Sequence, residues 1–93
     1  MRYADLLKAA ALRLESMSSH EGDPQALLRD ATVGVPQSER ERVLAVWDYA
    51  TTHMLDVAST VHTTMSTQNV ATICRQLADM VENGSLARHV GTT

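Results

Sequence analysis

The stretch from Ser38 to about Met65 constrains the fold more than any other part of the chain. Within it Val43, Trp47, Ala50, Met54, Val57 and Val61 recur at alternating steps of four and three, which places them on one stripe of an α-helix. At about 1.5 Å of rise per residue, a helix over this segment would be roughly 40 Å long. That is more than a small globule needs to span its own core. The pattern predicts an all-α chain, a small four-helix bundle built around one long central helix at about 38–65. Ser38-Glu39-Arg40-Glu41 has the form of a capping box and sets the expected start of that helix. Its end is expected near Met65–Thr67, because Ser59, Thr60, Thr63 and Thr64 are weak helix formers.

The flanking segments follow the same period. Tyr3, Leu7, Ala10, Leu14 and Met17 predict a first helix over 3–19, from which Leu12, about 140° round from Leu7, points away. Asp23-Pro24 reads as an N-cap followed by a first-turn proline and opens a short helix over 24–33, with Gly34 as its stop. Val70, Ile73, Leu77 and Met80 (or Val81) predict a further helix over 68–83, capped by Ser66 or Thr67 and ended by Asn83-Gly84. Arg75 and Asp79 stand four apart on its outer side as an expected ion pair. A short turn over 85–90 completes a single helical domain spanning 1–93.

Composition limits what such a bundle can do. There is no Phe, one Trp and two Tyr in 93 residues, so the core rests on Ala, Leu, Val and Met and is thin for its size. A thin core favours self-association, and a homodimer is expected. The net charge of −3 is spread along the chain without a basic cluster, which disfavours direct contact with nucleic acid. Lys8 is the only lysine, so a polybasic membrane arm is not expected either. The single cysteine, Cys74, excludes an internal disulfide and fits a reducing compartment. Asp5, Lys8 and Arg13 interrupt the N-terminal segment where a signal peptide would need an apolar core. The expected location is cytoplasmic.

No constellation of reactive side chains stands out. His53 and Asp56, three apart, could share an ion, and His20, Glu21 and Asp23 crowd one loop, but no paired metal-ligand spacing is present. Cys74 sits between Val70 and Leu77 on the apolar stripe and reads as a small hydrophobe rather than a nucleophile. Tyr49, His53, Asp56 and Thr60 share a polar flank of the long helix, the ordinary solvated side of an amphipathic rod. On the opposite flank Leu44 and Leu55 fall some 100–120° from the stripe centre, aligned with Asp48, Thr51 and His62. With Leu12, these leucines belong either to an unusually wide core or to a second interface. Leu12, Leu44, Asp48, Leu55 and His62 are therefore the candidate partner-binding residues. No catalytic, cofactor-binding or metal-binding residue is expected.

Leu44-Ala45-Val46-Trp47, with Ala50, His53 and Leu55 beyond, resembles the long-helix segment of the Hha/YmoA family. These are small helical modulators that bind a nucleoid protein. The resemblance implies an accessory modulator that contacts DNA only through its partner; Thr52 departs from the acidic residue those proteins carry before the His. The residues themselves favour a non-enzymatic regulator, adaptor or inhibitor of bacterial or phage type that binds another protein through helix faces.

Overall fold

Residues 2–84 are described by the computed structural model. The framework is a pair of helices from opposite ends of that range: α1, Tyr3–Ser16, lies against α5, Thr67–Glu82, in the most extensive packing of the molecule. Lys8 pairs with Glu82 and Glu15 with Arg75, so the two helices run antiparallel. Leu7, Ala10, Ala11 and Leu14 of α1 and Val70, Ala71, Cys74, Leu77 and Ala78 of α5 are buried. The alanines let the helices approach closely, while the leucines supply most of the apolar area removed from water.

Between these helices lie β1 (Glu21–Gly22), α2 (Pro24–Ala31), α3 (Gln37–His53), α4 (Leu55–Ala58) and β2 (Met65–Ser66). The chain is mostly helical, but its centre is the α1–α5 pair and not a long middle helix. The rod expected over 38–65 is broken: α3 stops at His53, and Met54 takes an extended backbone (φ −104°, ψ 107°) before α4 begins. The chain must turn back for α5 to reach α1; with the break the longest dimension of the molecule is 34 Å, short of the roughly 40 Å of the expected rod. Val57 and Met65 are still buried, and Met54 and Val61 still pack on the core, so the apolar stripe is used although the helix is not continuous.

The expected capping box is also absent. The α3 helix opens immediately after the proline, with the Pro36 carbonyl accepting from the amides of Glu39 and Arg40 at 3.0 Å each. Glu41 takes the side-chain amide of Gln37 (3.1 Å) instead of reaching back to Ser38. Other local signals are kept. Asp23 accepts from the Ala26 amide at 3.1 Å with Pro24 opening α2. Ser66 accepts from the Asn69 amide at 3.1 Å at the start of α5. Gly34 and Gly84 take φ of +89° and +88° past the ends of α2 and α5, a backbone that glycine adopts without a Cβ penalty. The first two helices are shorter than expected, ending at Ser16 and Ala31, and the expected turn over 85–90 lies outside the described residues.

An antiparallel bridge, unforeseen in the sequence, ties the loops together. Glu21 pairs with Ser66 and Gly22 with Met65, and the Thr67 amide donates to the His20 carbonyl at 3.0 Å. It places the capped starts of α2 and α5 side by side. The far end of α2 is held by two arginines. Arg13 donates to the Ala31 carbonyl at 3.3 Å, and Arg40 donates to the Thr32 hydroxyl at 3.3 Å while that hydroxyl donates to the Leu28 carbonyl at 2.8 Å. Cationic side chains at a helix C-terminus satisfy its last carbonyls and complement its dipole.

Two consequences can be measured. Thr67 is fully buried and its hydroxyl has no hydrogen-bond partner, so Thr67→Val should be neutral or stabilising by about 1–2 kcal/mol in denaturant unfolding. Glu15 and Glu82 are held below their ordinary 4.5 by the hydrogen bonds from Arg75 and Lys8. Their contribution is thus complete above pH 4.5 and lost as acid protonates them through the lower folded-state values. The acid limb of a melting-temperature profile should be flatter in a Glu15→Gln, Glu82→Gln variant. Because both pairs are solvent-exposed, the difference should shrink with added salt.

Candidate functional site

The break at Met54 decides which candidate residues share a surface. Leu44, Asp48 and Leu55 were expected on one flank of a single rod, but Leu55 now starts a separate helix and His62 lies in the loop before β2. The flank therefore does not exist as a continuous stripe. Leu12 faces outward from α1 at 61 % exposure, and Leu55 stands out from α4 at 86 %. Leu44 is half-buried and packs against the core. Asp48 and His62 are exposed. The open question for the leucines thus divides: Leu44 contributes to the core, Leu12 and Leu55 do not.

Val33 is a third outward apolar residue, 70 % exposed, and sequence reasoning did not single it out. A signal was present. Ala31 is the last inward residue of α2, and a position two further along a helix turns about 200° away.

Clefts indent the surface of the described residues. One lies between the Leu6, Ala9, Ala10 and Arg13 face of α1, the α2–α3 connection and Val43 of α3, with a volume of about 190 Å³. Arg13 and Glu39 supply opposite charges on its walls. A second, of about 270 Å³, is lined by His62, Met65, Asn69 and Gln76 among others. The third, about 210 Å³, brings His62 and Thr51 together with Trp47, Asp23 and Val61. His62 and Thr51 thus do meet, through the loop rather than along one helix. Thr51 itself spends its hydroxyl on the Trp47 carbonyl at 3.0 Å.

The reactive side chains are dispersed. Met54 separates His53 from Asp56, and His53 instead stacks near Tyr49 with ring centroids 4.9 Å apart. Of the loop trio, Asp23 is engaged as the α2 cap and the His20 Nδ1 lies 2.8 Å from the Ser18 carbonyl. Among the described residues no group of three or more metal-capable side chains converges. Arg75 does not pair with Asp79 as expected; its guanidinium grips both oxygens of Glu15, at 2.9 and 2.5 Å. A bidentate partner across the helix interface offers better geometry than one a turn away on the same helix.

Cys74 is fully buried, and burial pushes its thiol up to about 12. A thiolate, the reactive form, is therefore scarce at neutral pH. Cys74 should resist a thiol reagent in the native protein and react only as fast as the α1–α5 pair opens. Raising the pH from neutral to about 9 should accelerate it far less than it does in the unfolded chain.

No helix among the described residues is long and apolar enough to cross a membrane. Compared with family models, with curated proteins and with solved structures, the chain matches none, and the resemblance to the Hha/YmoA helix rests on Leu44–Trp47 with Ala50, His53 and Leu55 alone.

Proposed function

We propose that the chain is a small non-enzymatic protein-binding module, a regulator, adaptor or inhibitor that docks on another protein through side chains on its helix faces. The observation that carries this reading is the exposure of Leu12, Val33 and Leu55 at 61, 70 and 86 %. Among the described residues the other leucines and valines are buried or half-buried. An apolar side chain held in water gains by being covered, so each is available to a partner's surface. Asp48 and Asp56 are exposed on α3 and α4, and the chain is acidic overall. A partner surface with apolar pockets and a basic rim would complement it.

The burial of Cys74 further supports a role carried by shape rather than by covalent chemistry. Because Leu44 packs on the core, its truncation would mix lost stability with lost contact. The informative variants are Leu12→Ser, Val33→Ser and Leu55→Ser. Each should alter unfolding free energy by no more than about 0.5 kcal/mol. Combined, they should abolish retention of the partner identified by affinity capture and mass spectrometry with the unaltered chain. Undiminished capture of the same protein by the triple variant would refute the reading.

A further inference from the structure

Met54 is the single non-helical residue between Gln37 and Ala58. Nothing in its own chemistry breaks a helix. Methionine is a good helix former, and neither glycine nor proline occurs between Pro36 and Gly84. The apolar stripe Val43, Trp47, Ala50, Met54, Val57, Val61 also runs through the break without a change of period. The interruption is imposed by the need to bring α5 back onto α1 within one chain. It leaves hydrogen bonds unmade: α4 has four residues and no side-chain cap at Met54. The amides of Leu55 and Asp56 are thus parted from the Thr51 and Thr52 carbonyls that a continuous helix would offer them.

We propose that the chain pairs with a second copy of itself by exchanging its 55–84 half. The α3 and α4 helices join across Met54 into one rod, and α5 of each copy packs on α1 of the other. Everything that half contributes to the closed chain is remade between copies. This includes the α1–α5 core, the β1–β2 bridge, the packing of α2 and α3 on α5, and the Lys8–Glu82 and Glu15–Arg75 pairs. Only the hinge differs, and the hinge gains helix bonds; such exchange is a low-cost route to a dimer. This inference rests on the hinge and stands apart from the docking reading above.

Leu55→Pro separates the two states. In the closed chain position 55 is the first residue of α4, where a missing N–H costs no helix bond, and Met54 already has the extended backbone that precedes proline. In the joined rod the ring would collide with the Thr51 carbonyl. Leu55→Ser removes the same side chain without blocking the helix. After refolding at millimolar concentration, light scattering should find a dimer for the unaltered chain and for Leu55→Ser. Leu55→Pro should weaken dimerisation by about a hundredfold or more and stay folded by circular dichroism.

Exchange itself is read by co-refolding 14N- and 15N-labelled chains and coupling Lys8 to Glu82 with a carbodiimide. Mass spectrometry should find mixed-label Lys8–Glu82 peptides. A chain that remains monomeric, a dimer that tolerates Leu55→Pro, or same-label peptides alone would each overturn the proposal. A dimer lost equally in Leu55→Ser would overturn it too, and would point to a surface contact through the leucine.

Discussion

The burial of α1 against α5 is the constraint that the rest of the molecule obeys. With no phenylalanine and a core of small and medium aliphatics, no single element can bury much area alone. The two helices with the most buried residues therefore come together, although they lie at opposite ends of the described chain. Once they are paired, the intervening residues must leave the end of α1 and return to the start of α5. The bridge between Glu21–Gly22 and Met65–Ser66 fixes where the two crossings meet, and the break at Met54 is what the return requires.

The charged residues serve the same pair. Lys8–Glu82 and Glu15–Arg75 sit along the exposed edges of the interface. Exposed pairs of this kind add little stability, but they set the alignment of the two helices, since sliding one by a turn would part both. Arg13 and Arg40 do comparable work at the C-terminal end of α2, which lies wedged between α1 and α3. The buried thiol of Cys74 and the orphan hydroxyl of Thr67 lie on α5 itself. The helix is thus packed tightly enough to tolerate one unsatisfied polar atom at its first turn.

What could be read from the sequence was what local chemistry decides. Asp23 before Pro24, Ser66 three residues before Asn69, and Gly34 and Gly84 past helix ends each act within a turn of themselves. The outward direction of Leu12 followed from the helical period. What could not be read depends on residues far away in sequence. No side chain marks Met54 as a break, because the cause is the distance between α1 and the end of α3. Arg75 had a plausible partner in Asp79, and only the fold reveals Glu15. Ser38 lost its capping role because the Pro36 carbonyl starts the helix earlier. The flank of Leu44, Asp48 and Leu55 parts for the same reason as the rod: a direction of about 100° per residue has meaning only while the helix continues.

The pairing of α1 with α5 also has a bearing on how the chain acquires its shape during synthesis. The ribosome releases α1 well before the residues that cover it, so α1 must wait exposed until α5 has emerged. Closing so wide a loop is slow compared with forming local contacts. During that interval the bared leucines of α1 can meet the completed α5 of a neighbouring nascent chain on the same message.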